Sequence, residues 1–398
     1  RGGQGVRLAI PLKYNVRNLA VRKVSTGMTV FVIALVVMVF LLVMALAEGI
    51  KKTLTKNVSD RDVIVMRTGA QSELQSFVQP EQFETLRTLP GVERDARGEA
   101  MASPELVVLI NVAKRSGKKT NVQVRGVLPA ALEVRPAIRI VEGRMISPGT
   151  DEAIVPKSVR DRFENAQVGG TIVAGSERWT VVGVFDAGST PYDSEIWVDL
   201  HNLQGQAKRG TGYSSVTLRA ADSAARDRII ASVKGDQRVK LEGKTEKKYY
   251  EEQMSTAAPI KILAYLVGVI MAIGASFGAM NTMYAQVSAR TREIGTLRAL
   301  GFSRRSVLGS FVVESLALAL IGGLVGTFFA WAFVGIFLTG PVGTQNFRTF
   351  SDILFNFTLT PALLVGGVVF SLAMGLFGGF FPAFRAARLK IVSALREI

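Results

Sequence analysis

The residues with the most distinctive chemistry lie in one short stretch, Arg290–Gly301, which reads RTREIGTLRALG. Its guanidinium groups surround a single carboxylate, while its apolar residues recur at helical spacing. Such a helix can dock on another protein through its apolar side and its cations. It can equally be a basic loop that only fixes the orientation of a membrane protein. The residues concerned are Arg290, Arg292, Glu293, Ile294, Leu297, Arg298, Leu300 and Gly301.

Local signals predict where this helix ends. Gly301 falls where many helices finish in a left-handed residue, and Ser303 is suited to begin the next helix as its N-cap. The stretch is therefore predicted to be a helix, a tight turn and the start of a second helix.

Enzymatic chemistry is disfavoured by the residue inventory. His201 is the single histidine and there is no cysteine, which argues against a Ser-His-Asp triad and a multi-histidine zinc site. Gly117–Thr120 resembles the end of a nucleotide-binding P-loop, but Val112 stands where the leading glycine is needed. We predict no catalytic residue, no metal site and no cofactor bound by this chain. If the protein uses ATP, a partner must bind it.

Composition points to a membrane protein. The 398 residues are 48% hydrophobic, and the apolar residues are concentrated in a few runs. A net charge of +16 invites a nucleic-acid partner, but the basic residues lie beside the apolar runs and no nucleic-acid motif accompanies them. The predicted partner is the lipid bilayer, with no nucleic acid.

Four apolar runs are long enough to cross a bilayer as helices. The first could also be a signal peptide, because Ala45–Ala47 resembles a cleavage site, but its long apolar core favours a retained span. The predicted spans are residues 27–48, 259–284, 311–338 and 361–381.

The basic residues orient these spans. Arginine and lysine are concentrated in residues 1–26, 285–310 and 382–398, which places both termini in the cytoplasm. Residues 49–258 and the loop 339–360 then face outward. The middle of each span lacks ionisable residues, which disfavours a proton-driven or ion-driven transporter. Glu314, at the cytoplasmic edge of the third span, is expected to be hydrated or to pair with Arg304 or Arg305.

The outer region alternates strand-like and helix-like segments, which predicts a large α/β domain between the first two spans. The chain is expected to begin a porter-like α/β lobe, to form an inserted β-rich lobe at about 121–205, and then to complete the α/β lobe. The main predicted elements are strands at Asp62–Met66, Leu106–Val112, Asn121–Val127, Val216–Leu218 and Val239–Leu241, and helices at Pro80–Leu89, Ser223–Val233 and Lys247–Gln253.

Small residues in the spans indicate close helix contacts. Gly274 and Gly278 form one pair at four-residue spacing, and Gly375 and Gly379 form another. Glycines at this spacing let helix backbones approach each other in lipid, where packing drives association. The leading basic segment, residues 1–26, mixes apolar and basic residues as an interfacial helix does.

The membrane half contains REIGTLRALGFSRRSV at Arg292–Val307 and FFPAFRAARLKIVSALR at Phe380–Arg396, and the outer region contains GRMISPGTDEAIVPKSVRDRF and GGTIVAGSERWTVVGVF. These four segments together resemble the MacB/FtsX-type permease module of ABC transporters. Ile391 stands where that module usually has proline, a mild departure. The resemblance covers nearly the whole chain, and the membrane half is the more specific part.

This resemblance implies a permease of the bacterial inner membrane that works as a dimer, more readily a homodimer than a heterodimer. It implies a separate cytoplasmic ABC ATPase carrying ATP and Mg²⁺, whose motion reaches the periplasmic domain by mechanotransmission, with Arg290–Gly301 as the coupling element. A periplasmic adaptor and an outer-membrane tunnel protein are implied for efflux. The alternatives are LolC/LolE-like lipoprotein or lipid extraction, an FtsX-like regulator of a cell-wall hydrolase, and a receptor without an ATPase.

Overall fold

The computed structural model describes residues 23–55, 58–188, 190–236, 240–255, 258–338, 340, 342–345 and 352–391. The chain divides into two compact units. A membrane unit comprises Arg1–Glu48, Pro259–Gly340 and Phe357–Ile398. A large domain comprises Gly49–Ala258 and Pro341–Asn356. The predicted interfacial helix falls mostly in residues 1–22, outside the described residues.

The helices follow the apolar periodicity and the capping signals of the sequence. In chain order they are α1 (Lys23–Thr55), α2 (Pro80–Arg87), α3 (Ala130–Val134), α4 (Lys157–Arg162), α5 (Leu200–Gln206), α6 (Ser223–Gly235), α7 (Glu246–Ser255), α8 (Ala258–Ala289), α9 (Thr291–Ala299), α10 (Arg304–Phe337) and α11 (Pro361–Ala387). Short 3₁₀ turns cover Glu73–Gln75 and Pro191–Ser194.

The strands lie almost entirely in the large domain's sheet. In chain order they are β1 (Asp62–Arg67), β2 (Ala102–Ala113), β3 (Lys119–Val127), β4 (Arg139–Gly143), β5 (Glu152–Pro156), β6 (Thr171–Ala174), β7 (Glu177–Asp186), β8 (Glu195–Asp199), β9 (Ser215–Arg219), β10 (Leu241–Thr245), β11 (Val342–Gln345) and β12 (Asp352–Phe355).

Four of the described helices, α1, α8, α10 and α11, are long and apolar enough to cross a membrane. They coincide with the four predicted spans. Each of the four extends past its predicted bounds at one end or both, and the largest extension at a helix start is in α10, which already begins at Arg304. α11 likewise continues to Ala387. Ser303 starts α10 early because its hydroxyl accepts a hydrogen bond from the Ser306 N–H at 3.2 Å.

The large domain is organised by one sheet with the strand order β10-β1-β9-β2-β3-β8-β5-β7-β4, and β6 pairs with β7. The predicted hairpin is confirmed as the antiparallel pair β2–β3. β1, β9, α2 and α6 enclose one apolar core, and the strands from β3 to β8 enclose others. The two predicted lobes therefore have separate cores but share a continuous sheet, joined through the long strand β2.

Two predicted elements differ in the structure. The strand expected at Val239–Leu241 begins only at Leu241, because pairing with β1 sets the register of β10 from Leu241 to Thr245. Val239 itself lies outside the described residues. The stretch 339–360, predicted to be an outer loop, contains the antiparallel hairpin β11–β12, with Phe355 buried. Its strands are too short for the alternation of apolar and polar residues to predict them from the sequence, and the contacts that bury Phe355 appear only in the structure.

Candidate functional site

The stretch Arg290–Gly301 ends as predicted. α9 is followed by Gly301 at φ +97°, a left-handed conformation that suits glycine. The Gly301 N–H donates to the Arg298 carbonyl and the Phe302 N–H donates to the Leu297 carbonyl, both at 3.2 Å. These two bonds form a Schellman motif, which ends the helix and satisfies carbonyls of its last turn.

One face of α9 is buried within the membrane unit. Ile294 is only 2% exposed and belongs to an apolar cluster whose other members come from α8, α10 and α11. The sequence pattern grouped Ile294 with Leu297 and Leu300 on one exposed docking side, and the structure corrects that grouping. The helical spacing was right, but this chain's own helices cover Ile294. The other buried members are Met283, Val287, Val307, Phe311, Ala383 and Ala386.

A buried ion pair fixes the start of α9. Arg290 donates from Nη1 to Glu314 Oε2 at 3.1 Å and from Nε to Glu293 Oε2 at 3.2 Å. Its guanidinium also lies 5.3 Å from the ring centroid of Phe311. The expectation that Glu314 pairs with Arg304 or Arg305 was wrong. Both arginines lie in the first turn of α10, while the buried face of that helix turns Glu314 towards Arg290.

The opposite face of α9 is open. Leu300 is 68% exposed, and Arg292 and Glu293 are exposed beside it. Leu297 and Arg298 are half-buried, and Arg298 donates from Nη1 to the Phe302 carbonyl at 3.1 Å. The predicted coupling residues thus divide into an anchoring set, Arg290 and Ile294, and an exposed set centred on Arg292 and Leu300.

The two glycine pairs have different surroundings. A Cβ added to Gly375 would lie 2.3 Å from the Ala319 Cβ, and one added to Gly379 would lie 2.0 Å from the Ser315 Oγ. These glycines therefore permit the close contact between α10 and α11. A Cβ on Gly274 or Gly278 would meet no atom within 4 Å, so this pair lies on an open side of α8.

The large domain contains a buried charge cluster that the sequence did not reveal. Arg125, on β3, is 1% exposed and reaches three carboxylates. Its Nε and Nη2 donate to Glu195 at 2.6 and 2.8 Å, and its Nη1 and Nη2 donate to Glu73 at 2.7 and 2.9 Å. Nη1 also donates to Glu105 at 2.6 Å. This guanidinium therefore ties β2, β3, β8 and the first 3₁₀ turn together.

Arg135 extends the cluster. Its Nη2 donates to Glu105 at 3.0 Å and to the Thr217 hydroxyl at 2.9 Å, and its guanidinium lies 4.7 Å from the Tyr192 ring centroid. Burial alone would raise the pKa of Glu105, but Arg135 and Arg125 together lower it below its usual value. Glu105 is therefore held as a carboxylate between two guanidinium groups.

Glu246, the first residue of α7, is the exception in this region. Burial raises its pKa to about 7, although Arg135 opposes the shift. The Tyr192 hydroxyl donates to Glu246 Oε1. Both residues line a cavity of about 120 Å³ together with Asp62, whose pKa is also raised by burial. Glu246 can therefore change protonation near neutral pH.

One sequence signal could have indicated the cluster. Glu105 and Arg125 lie inside apolar strand segments, where a charge is costly unless it is paired. The partners, however, come from positions as distant as Glu73 and Glu195, and no spacing rule joins them.

Four helices long and apolar enough to cross a membrane, with an α/β domain interposed after the first, define a class of multi-pass membrane protein. The MacB-like periplasmic core domain family matches residues 26–235, and the FtsX-like permease C-terminal family matches residues 265–391. The chain belongs to the MacB/FtsX-type permease family.

Named relatives support this assignment. The chain is 28% identical over 313 residues to the macrolide export ATP-binding/permease protein MacB of Sodalis glossinidius, covering 74% of this chain and 46% of that protein. It is 27% identical over 303 residues to the uncharacterised ABC transporter permease YknZ of Bacillus subtilis, covering 71% of this chain and 72% of that one. The chain thus spans about half the length of the Sodalis relative.

Solved structures match about half of this chain at low sequence identity. The periplasmic region of MacB from Actinobacillus actinomycetemcomitans matches with 10% identity and a TM-score of 0.38, covering 50% of this chain and 96% of that one. The extracellular domain of YknZ matches with 16% identity and a TM-score of 0.36, covering 46% and 99%.

Proposed function

We propose that this chain is the permease subunit of an ABC transporter that exports its substrate by mechanotransmission. An ABC ATPase domain outside these 398 residues binds and hydrolyses ATP with Mg²⁺, and α9 receives its motion. The exposed set of α9 residues contacts the ATPase. The end of the bundle that carries α9 faces the cytoplasm, and the large domain acts in the periplasm.

The observation that carries this proposal is the division of α9 into a held face and an open face. Ile294 and Arg290 attach the helix to α8, α10 and α11 through an apolar cluster and a buried ion pair. Leu300 and Arg292 are exposed on the same short helix. A helix that is free on one side and firmly packed on the other can move its neighbours as a rigid body when a partner displaces it.

The transmitted movement would pass into the spans that border the large domain in the chain, α1 before it and α8 after it. Charge-assisted contact of Arg292 with acidic residues would orient the ATPase, and Leu300 would supply the apolar anchor. Because the middle of the described spans carries no ionisable residue, the proposal assigns the work to domain motion and not to an ion relay.

The working complex in this proposal is a homodimer of permease chains in the bacterial inner membrane. A periplasmic adaptor and an outer-membrane tunnel protein would complete an efflux path. Export is favoured because the Sodalis relative is named a macrolide export protein, while the substrate of this chain is left open. Lipoprotein or lipid extraction and FtsX-like regulation of a hydrolase are the alternatives within the same family.

The test is a double substitution on the open face, Arg292→Glu with Leu300→Ser, in a chain purified together with its ATPase. We expect ATPase activity recovered per permease to fall by about tenfold or more, because truncating interface anchors commonly costs that much affinity. The thermal unfolding midpoint of the permease should not change, since both side chains are exposed.

A buried-face substitution provides the matched control. Ile294→Ala should lower the permease's unfolding midpoint, because a buried Ile-to-Ala change costs about 2–5 kcal/mol. Full recovery of ATPase activity with the open-face double variant would refute the docking role of α9.

A further inference from the structure

We infer that the membrane unit holds an anionic phospholipid in a groove between α8 and α11, with its phosphate on Arg385 and Arg388. This site is separate from the exposed face of α9 and does not depend on an ATPase. It rests on three features of the membrane unit: an apolar groove, a cationic end to that groove, and aromatic rings that support the cations.

The groove is apolar and lies at membrane depth. It has a volume of about 410 Å³ and is lined from both helices by residues that include Ile273, Phe277 and Met280 on α8 and Ala373, Phe377 and Phe381 on α11. Its walls are open, with Phe377 64% exposed. A groove of this kind within the hydrocarbon region is filled by apolar chains, because water there would lack hydrogen-bond partners.

The two walls lead directly to polar side chains. Tyr284 follows Met280 by four residues, and Arg385 follows Phe381 by four residues, so each lies on the same helix face one turn further on. α8 and α11 run in the same direction here, because their contacts advance together along both chains. The Ser276 hydroxyl donates to the Met374 carbonyl at 3.5 Å, and a Cβ on Gly378 would lie 2.9 Å from the Ala279 Cβ. Further on, the Arg385 guanidinium lies over the Tyr284 ring. Tyr284 and Arg385 therefore close the groove at the end of the bundle that carries α9.

The cations at this end are arranged for an anion. The guanidinium of Arg385 lies 5.6 Å from the Tyr284 ring centroid, and that of Arg388 lies 4.1 Å from the Phe384 ring centroid. Stacking on a ring holds a guanidinium in place while leaving its N–H groups free to donate. Both arginines are exposed, and neither is paired with a carboxylate among the described residues.

The apolar groove and the two arginines at its end together indicate which molecule fills the groove. A second protein chain could cover the apolar walls, but it gives no reason for two ring-supported arginines at one end. An anionic glycerophospholipid matches both parts, with an acyl chain along Phe277 and Phe377 and a phosphate that accepts from Arg385 in a bidentate manner. Tyr284 has the amphipathic ring that is common at the membrane–water interface.

The experiment uses the full chain, purified in a nonionic detergent and offered equimolar phosphatidylglycerol and phosphatidylcholine with identical acyl chains. Native mass spectrometry counts the bound lipids of each kind. Wild-type chain should retain phosphatidylglycerol preferentially. Arg385→Gln should reduce that preference about fivefold, because one basic residue near an anionic lipid contributes about that factor in affinity. Arg385→Lys should keep only part of it, because the charge remains while the bidentate contact and the stacking on Tyr284 are lost.

Two further variants separate the site from general charge and from dimerisation. Arg305→Gln removes an exposed arginine from the first turn of α10, outside the groove, and should leave the preference unchanged. Ala373→Phe fills the groove without changing charge and should lower retention of both lipids. An equal loss in Arg305→Gln and Arg385→Gln would overturn the inference, as would a change of oligomeric mass in Ala373→Phe with lipid retention unaltered.

Discussion

The interiors of the two units are built on opposite principles. In the membrane unit, helices meet through glycine, serine and alanine, and the charged contact Arg290–Glu314 lies at the end of the bundle. In the large domain, Arg125 and Arg135 are buried among several carboxylates in the middle of a sheet. Both units contain apolar clusters, and they differ in the contacts that accompany those clusters.

The difference follows from the solvent in which each unit folds. Lipid is as apolar as leucine, so helices in a bilayer gain by close backbone packing and not by hiding apolar area. In water, apolar burial drives collapse, and the enclosed charges must then be fully paired because an unpaired one is very costly. The large domain should therefore be most sensitive to the loss of a few buried polar contacts. The membrane unit should be most sensitive to a side chain added at one of a few closely packed glycines.

The largest effect is expected at the centre of the charge cluster. Arg125→Met removes the partner of Glu73, Glu105 and Glu195 and leaves them buried without it. Breaking such a buried pair costs about 3–5 kcal/mol. We expect the thermal unfolding midpoint to fall by about 10 °C. Tryptophan fluorescence measures this midpoint, because Trp179 and Trp197 lie in this domain.

An exposed ion pair supplies the comparison for Arg125. Arg144 pairs with Glu152 at the surface, with 55% of the Arg144 side chain exposed. Arg144→Gln should leave the midpoint unchanged within error. Equal effects of the two substitutions would show that burial of the Arg125 cluster does not matter to stability.

The next effect is a pH dependence confined to the large domain. The pKa of Glu246 is raised from 4.5 to about 7, so the folded chain binds this proton more tightly than the unfolded chain does. The associated stability is fully present below pH 4.5 and is lost as the pH rises through 7, amounting to about 3 kcal/mol at most. The cavity beside Glu246 gives solvent a route to the carboxyl.

Glu246→Gln isolates this titration, because the amide keeps an acceptor for the Tyr192 hydroxyl and cannot ionise. The variant should match wild type near pH 4.5 and exceed it at pH 8, as measured by chemical unfolding of the full chain across that range. A wild-type slope that persists in Glu246→Gln would assign the pH dependence to another group.

The smallest effect distinguishes the two glycine pairs of the membrane unit. Gly379→Ala places a methyl group 2.0 Å from the Ser315 Oγ and should cost about 1–3 kcal/mol, as overpacking does. Gly274→Ala has free space and should be neutral or slightly stabilising, because alanine favours a helix over glycine. Unfolding by denaturing detergent measures both, and similar losses would contradict the difference in packing between the two pairs.

Much of the architecture could be predicted because its signals are local. Four apolar runs gave four spans, and the Gly301–Ser303 turn gave the end of one helix and the start of the next. The hairpin β2–β3 was predicted from two strand-like runs around a basic turn. The hairpin β11–β12 was missed because its strands are only four residues each.

The division of α9 into a buried face and an exposed face could not be predicted from local signals. Helical spacing correctly predicted a helix, but it placed Ile294, Leu297 and Leu300 on one docking side, because spacing does not show what covers each residue. Packing against α8, α10 and α11 buries Ile294 and leaves Leu300 in the open.

Local sequence was sufficient to predict the number and approximate position of the spans, the family and the turn at Gly301, because hydrophobic run length and backbone preference act within a few residues. Three-dimensional packing was needed to show that Glu314 pairs with Arg290, that Gly379 and not Gly274 lies in a tight contact, and that Arg125 is surrounded by carboxylates. Those contacts join residues that are far apart in the chain, and their energies depend on distance and burial, which emerge when the helices and strands pack.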